Sequence, residues 1–365
     1  MTTRIQAACS PGEVRVALVR DDELIEYGIW RPGAPDGVGD VHRGRITARM
    51  PAMAGAFVAL AGADGFLPDS SGATGLGVGD VVTVQVTRAA QAGKGPRLRL
   101  MEASAGEVGL LERGPGWLLE LAAREPEAPV EVDDAAFAAR LKPVLGMRLD
   151  VAQSAWDEAV EEQVAALMSP SVELSSGARL HVEPTRALTA IDVDAGGAVA
   201  SRQGKVAAHL SANQAVVPTV ARQIQLRNLS GAILVDFAGL QARRRPSLGP
   251  ALASALAQDP LRPRLLGFTG LGLAEIVRPR VHPPLHEMLV GPHAAGLAAL
   301  RQAVAEVAAA PHRAIALRAT PNVVAALQRD GEALADLARR SGRPLMLRSD
   351  PGMRTDEWVI EARDE

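Results

Sequence analysis

The sequence predicts a multidomain chain that mixes α+β and α/β parts: a small closed β-barrel inserted after an N-terminal hairpin, a central α/β unit and a compact C-terminal unit. Three observations carry that expectation. A chain of 365 residues is longer than one hydrophobic core usually serves, so two or three domains are expected. Residues 40–100 hold short β-branched runs separated by glycine, the spacing of a small barrel. From 177 onward, apolar runs of strand length alternate with stretches of helical spacing, the pattern of an α/β unit.

Taken in order, VRVALVRDDELIEYGIW at 14–30 reads as two strands joined by a tight turn at Asp21 and Asp22. The Pro/Gly-rich break 31–40 leads into VHRGRIT, GAFVAL, DGFLP and GVGDVVTVQVTR, the barrel strands. Residues 101–130 mix glycine with helix formers and read as a short connector. AAFAARLKPVLG and SAWDEAVEEQVAALM have helical spacing. In the second, Trp156, Val160, Val164 and Leu167 share an apolar face, opposite a solvated one with Asp157, Glu158, Glu161 and Glu162. ARLHVEP, ALTAIDVD, GAILVDFAG, PRLLGFT and GLAEIVRPR read as strands, and VVPTVARQIQLRN and ALASALAQ as helices. Prolines and glycines between 282 and 296 mark a boundary. The tail then reads helix 297–309, strand 313–318, helix 321–340, and strands 344–349 and 357–361.

Composition excludes several function classes. With 47% hydrophobic and 22% charged residues, the chain is neither disordered nor collagenous. Cys9 is the single cysteine, which rules out an internal disulfide framework and a zinc ribbon. No run approaches the ~18 apolar residues of a membrane span, and MTTRIQAACS lacks a secretory apolar core. A cytoplasmic location without a membrane partner is therefore expected. The net charge of -3 excludes a polycation that binds nucleic acid by bulk attraction, so local patches must decide that question. Only Lys94, Lys142 and Lys205 are lysine; the other basic residues are arginine, which suits phosphate recognition. A bias towards Ala, Gly and Arg accounts for the same count.

The informative feature is a pair of acids, Asp192 and Asp236, each at the end of an apolar strand run, LTAID and AILVD. If the two strands are parallel neighbours, both carboxylates lie at one edge of a sheet, where ligands of open α/β sheets gather. Two hard oxygen donors so close call for a cation, and Mg²⁺ or Mn²⁺ is the usual one. Asp194 follows on the same face in extended chain and could supply a third donor. A strand-end Asp can equally cap the following turn, and spacing leaves both readings open.

ELSSGARLHVEPTRALTAIDVDAG at 173–196, ARQIQLRNLSGAILVDFAGL at 221–240 and LLGFTGLGLAEIVRPR at 265–280 resemble the catalytic core of the ribonuclease E/G family. GDVHRGRITARMPAMAGAFVALAGADGFLP at 39–68 and VGDVVTVQV at 78–86 resemble the S-one-type OB fold inserted in that family, and LMLRSDPGMRTDEWVIE its small domain. The resemblance implies a split ribonuclease-H-like scaffold (1–35 and 101–178), an OB-fold RNA-binding barrel (36–100), a deoxyribonuclease-like α/β catalytic subdomain (179–290) and a small C-terminal domain (291–365). It implies Mg²⁺-dependent endonucleolytic cleavage of single-stranded RNA to 5′-phosphate products, with Asp192 and Asp236 as metal ligands. Asp194 stands where the family usually has Asn, so its role is open.

In the barrel, the resemblance makes Phe57 and Phe66 base-stacking residues and Lys94 a basic contact, with Arg43 and Arg45 either phosphate contacts or a solvated strand edge. A phenylalanine in a barrel is otherwise a core residue. Arg222, Arg227 and Arg243–Arg245 flank Asp236 and are candidates for phosphate neutralisation. Two departures stand out. The stretch between Leu100 and Val130 holds no recognisable Arg-Thr phosphate grip, so weak or absent preference for 5′-monophosphate ends is expected. VHPPLHEMLVGPH has His282, His286 and His293 but no thiol, so neither a structural zinc nor a zinc-linked tetramer is expected, while a homodimer through the small domain stays open. The rivals are an RNA-binding relative without turnover and a scaffold protein.

Overall fold

The computed structural model describes residues 2–91, 93–103, 105–174, 177–194, 205–237, 239–310, 312 and 314–363. β1 (Thr3–Ser10), β2 (Glu13–Arg20) and β3 (Glu23–Trp30) form an antiparallel meander. Asp21 and Asp22, at φ 48° and 64°, make the two-residue turn, in the left-handed pair that matches strand twist. The expected hairpin is thus the second half of a meander. β1 escaped the periodicity because its Ala-Ala-Cys-Ser half is weakly β-forming.

The barrel follows: β4 (Val41–Met50), β5 (Gly55–Ala59), β6 (Asp64–Pro68), β7 (Val81–Arg88) and β8 (Arg97–Ala103) pair in the order β5-β6-β8-β7-β4. β4 pairs back onto β5 and closes the ring, which buries the edges of the sheet. Ile46, Val58, Leu67, Val82, Val84 and Leu98 fill it. β9 (Gly109–Glu112) adds to the half of β4 that β5 leaves free, so this sheet runs past the expected limit at residue 100.

The chain then returns to its first sheet through α1 (Gly116–Arg124), β10 (Val130–Val132), α2 (Ala135–Leu145), β11 (Leu149–Val151) and α3 (Glu158–Ala166). β10 joins β1 in parallel and β11 joins β10, giving the order β11-β10-β1-β2-β3. Strands from both sides of the barrel thus share one sheet, and the barrel is an insertion. The expected connector contains a real helix, α1, because Leu118 and Leu121 sit one turn apart and bury against the sheet. Trp156, Val160, Val164 and Leu167 pack together as expected, against Leu24 and Tyr27. Trp156 lies ahead of α3, which Asp157 caps by accepting from the Val160 N–H at 3.0 Å.

The central unit holds β12 (Ser171–Glu173), β13 (Arg179–Pro184), β14 (Thr189–Asp194), α4 (Lys205–Leu226), β15 (Gly231–Phe237), α5 (Gly249–Leu256), β16 (Arg264–Phe268) and β17 (Ala274–Arg278). Its sheet order is β12-β13-β14-β15-β17-β16. β12 brings the start of this sheet to Ser171, ahead of 179, because it pairs with β13. β14 and β15 are parallel, and α4 lies between them in the chain, as a parallel crossover requires. α4 starts at Lys205 and carries Pro218 inside it, so it begins well before the apolar periodicity does. Val216, Val217, Val220 and Ile224 of α4, with Leu252 and Leu256 of α5, cover Leu180, Val182, Ile191, Val193, Ile233 and Val235. One face of the sheet is therefore packed under helices.

After α6 (Leu285–Met288), the last unit sets α7 (Pro292–Ala309), α8 (Pro321–Arg329) and α9 (Gly331–Ser341) on a sheet of β18 (Ala314–Ala319), β19 (Met346–Ser349) and β20 (Trp358–Arg363), ordered β19-β18-β20. The single helix expected over 321–340 is two, because Asp330 ends α8 and caps α9, accepting from the Ala333 N–H at 3.1 Å. Position 313 of the expected strand and position 238 of GAILVDFAG lie outside the described residues. Glu13, 4% exposed, accepts from Arg31 at 2.9 Å and from Arg301 at 2.8 Å, tying this unit to the first sheet. No helix among the described residues is long and apolar enough to cross a membrane.

Candidate functional site

The central sheet positions its acids by alternation. On β14, Ile191 and Val193 are buried while Asp192 and Asp194 are exposed. On β15, Ile233, Val235 and Phe237 are buried and Asp236 is half-exposed. Since α4 and α5 cover the apolar face, all three carboxylates stand on the face that those helices leave open. Asp192 and Asp236 are register partners across the parallel pair, which sets their Cα atoms about 4.8 Å apart. A slip of one residue would send either acid into the core, so the apolar pattern enforces the register.

Asp194 lies two positions further along the same strand, opposite Arg179 of β13. Among the described residues no group of three or more His, Cys, Asp or Glu side chains could hold a metal ion. The structure thus pairs Asp192 with Asp236 and does not gather Asp194 with them into a three-donor cluster. Two oxygen donors of this kind could hold Mg²⁺ or Mn²⁺, which take one or two carboxylates and complete their shell with water and phosphate.

Arg245 completes the pair's surroundings. It sits in the short turn Ala242–Leu248 after β15 and donates through Nη1 to Asp236 Oδ1. Its Nε donates to the Leu240 carbonyl at 2.9 Å and its Nη1 reaches the Gly272 carbonyl at 3.4 Å. Gly272, at φ +86°, is required here, since a Cβ would come within 2.8 Å of the Ala242 Cα and the Arg245 Cδ. The other arginines near Asp236 in the chain are not all available for phosphate. Arg222 donates to the Leu24 carbonyl at 3.0 Å, and buried Arg227 to the Leu167 and Ser169 carbonyls at 3.1 and 2.7 Å. Both hold elements together, a role that sequence proximity could not reveal. Arg243 and Arg244 are exposed.

His181 escaped the sequence reading as a site residue. It pairs with Asp192 across β13 and β14, and Ser171 Oγ lies 3.0 Å from its Nδ1. Ser171, His181, Asp192 and Asp236 thus form one row across four strands. The available signal was the alternation in ARLHVEP, which puts His181 on the polar face.

On the barrel, Phe57 and Phe66 are register partners in the β5–β6 hairpin, with ring centroids 5.6 Å apart in an edge-to-face contact. Both are half-buried and outside the barrel's interior cluster. Gly55 leaves the room Phe66 needs, because a Cβ there would meet its ring at 2.5 Å. Arg97 of β8 is the register partner of Phe66 on the other side. Lys94 is exposed and its backbone bonds reciprocally with Gln91 in the β7–β8 connection. Arg45 is exposed, with Nη1 on the Gly79 carbonyl at 3.0 Å, and Arg43 stands two residues before it, half-buried on the same outer side of β4.

His282 joins three regions. Its Nδ1 lies 2.6 Å from Asp36 in the segment entering the barrel, and its Nε2 lies 2.8 Å from Glu120 on α1. Burial pulls its pKa down, but the two carboxylates outweigh that and raise it to about 9. Next to it, the Val281 carbonyl accepts from the Ala89 N–H of the barrel at 2.9 Å. His282 is therefore an ionic clamp, which the His-rich motif did not disclose.

The model of the Ribonuclease E/G family matches residues 137–281. A ribonuclease E of Nostoc sp. is 34% identical over 130 residues, 35% of this chain and 19% of that protein. A ribonuclease G of Haemophilus influenzae is 34% identical over 131 residues, 36% of this chain and 26% of that protein. A ribonuclease G of Escherichia coli K12 is 33% identical over 132 residues, 36% of this chain and 27% of that protein. The matched stretch thus spans between 19% and 27% of these relatives' length.

Proposed function

We propose, from the match of residues 137–281 to the model of the Ribonuclease E/G family, that the chain is a metal-dependent endoribonuclease cutting single-stranded RNA in RNA processing or decay. The observation that carries the reading is the register of Asp192 with Asp236 on the open face of the central sheet. These two carboxylates would hold Mg²⁺ or Mn²⁺. Such an ion, when bound, polarises a phosphate and lowers the pKa of its water, leaving a 5′-phosphate product.

The remaining work falls to the chain's own side chains. Phe57 and Phe66 offer faces on which unpaired bases stack, and a duplex cannot splay its bases onto them. Lys94, Arg45 and Arg43 would supply positive charge on the barrel. The His282 clamp holds the barrel's entry segment and the exit of the central sheet in one arrangement. Preference for 5′-monophosphate ends is weak or absent in this proposal; matched RNAs with 5′-monophosphate, 5′-triphosphate and circular form should be cut at similar rates.

The main test is a labelled single-stranded RNA with Mg²⁺, with and without EDTA. Cleavage that stops in EDTA and in Asp192→Asn, while RNA binding persists, supports the enzyme. Binding without cleavage in Mg²⁺ and Mn²⁺ refutes it and favours the second reading, an RNA-binding relative without turnover. That second reading draws on the ion pair between Arg245 and Asp236 and on Asp194 at the position of the family's Asn.

A further inference from the structure

We propose that Arg245 is the resting counter-ion of Asp236 and that a divalent metal competes with it for the carboxylate pair. The inference rests on the metal-dependent reading above and adds to it that this chain sets its own metal affinity through one arginine.

The geometry is specific to Arg245 among its neighbours. Arg243 turns its Nε to Gln241 Oε1 at 3.1 Å, Arg244 is exposed, and Arg222 and Arg227 are committed to backbone carbonyls elsewhere. Arg245 alone of these five reaches the carboxylate that pairs with Asp192. Its side chain is 14% exposed, whereas Asp236 is 49% exposed, so the guanidinium is largely enclosed while the acid stays open to solvent. Three acceptors share the guanidinium: Asp236, the Leu240 carbonyl and the Gly272 carbonyl. The two carbonyls hold it by backbone, and they remain when Asp236 turns to another cation.

The charge arithmetic gives the direction. Two carboxylates on neighbouring strands repel, and one guanidinium offsets part of that repulsion without metal. A divalent ion held by Asp236 would compete with Nη1 for the carboxylate's electron density, and the two cations would repel across it. Metal binding therefore proceeds against a charge-assisted hydrogen bond, worth on the order of tenfold or more in an equilibrium. The displaced guanidinium, still tethered at Leu240, stays beside the pair, where the next anion within its reach is a substrate phosphate.

Mn²⁺ binding to the full chain, followed without RNA by the electron paramagnetic resonance of free Mn²⁺, tests the proposal in wild type, Arg245→Gln, Arg245→Lys and Asp236→Asn. Arg245→Gln should bind Mn²⁺ about tenfold more tightly than wild type, Arg245→Lys should gain less, and Asp236→Asn should lose the site. Equal affinity in wild type and Arg245→Gln, with loss in Asp236→Asn, overturns the role of Arg245 and leaves the metal reading standing. Absence of Mn²⁺ binding in both overturns the two together. Thermal unfolding in EDTA checks that each variant folds; if Arg245→Gln does not, Arg245→Lys decides, with wild-type affinity overturning the proposal.

Discussion

The open face of the central sheet and the outer face of the barrel both present chemistry to solvent, yet they are assembled over different distances in the chain. Phe57 and Phe66 meet across a short hairpin, so local turn chemistry and one glycine suffice to pair them. Asp192 and Asp236 meet across a parallel pair, with all of α4 between them in the chain. The barrel surface is thus tolerant of changes elsewhere, while the acid pair depends on the packing of α4 and α5 that sets strand register.

That contrast can be broken by substitution. The largest effect should come from Asp192→Asn or Asp236→Asn: RNA cleavage falls on the order of 10²–10³-fold while RNA affinity, followed by filter binding, stays near wild type. An equal loss of affinity would mean that the two faces act as one. Next is the foundation of the central sheet, where Arg278 and Asp259, 4% and 3% exposed, form a buried ion pair with Nε–Oδ2 at 2.6 Å. Arg278→Ala leaves Asp259 uncompensated and should cost about 3–5 kcal/mol in urea unfolding. Asn228 Oδ1, which accepts from Arg278 at 2.6 Å, loses its partner as well.

Smaller effects belong to the barrel. Phe57→Ala or Phe66→Ala should weaken single-stranded RNA binding by about 1–3 kcal/mol per ring, read by fluorescence anisotropy, with cleavage of a saturating substrate unchanged. A larger fall in unfolding stability than in affinity would return both rings to a packing role. The smallest effect is a pH dependence of the clamp between the two regions. The His282 pKa is raised from 6.5 to about 9 in the folded chain, so its contribution is complete below about 6.5 and fades as pH rises through about 9. The melting-temperature difference between wild type and His282→Gln should therefore shrink between pH 6.5 and 10. A constant difference would show that the imidazole acts by packing, through its 4.7 Å edge-to-face contact with Trp117.

The residue order carries the strands of the central sheet and their acids. Alternation in LTAIDVD put Asp192 and Asp194 on one face, the acid ending AILVD could join them only if its strand lay parallel beside theirs, and glycine-punctuated β-branched runs announced the barrel. Features that escaped share a cause: each depends on a partner remote in the chain. Arg222 and Arg227 looked like phosphate ligands because they flank Asp236 in sequence, but Leu24, Leu167 and Ser169 claim their donors. His181 acquired meaning only when β13 paired beside β14. α1 was hidden because it is nine residues long in a stretch broken by glycine and proline, and its burial comes from a sheet completed on both sides of the barrel.

Side-chain periodicity is a local property of the backbone, which is why strand identity, the inward and outward faces and the acids at strand ends could be read from residue order. Which strands lie side by side is a matter of long-range burial, settled when α4 and α5 close over Ile191, Val193, Ile233 and Val235. That packing, which no short stretch encodes, put Asp192 beside Asp236 and brought Arg245 to the latter's carboxylate.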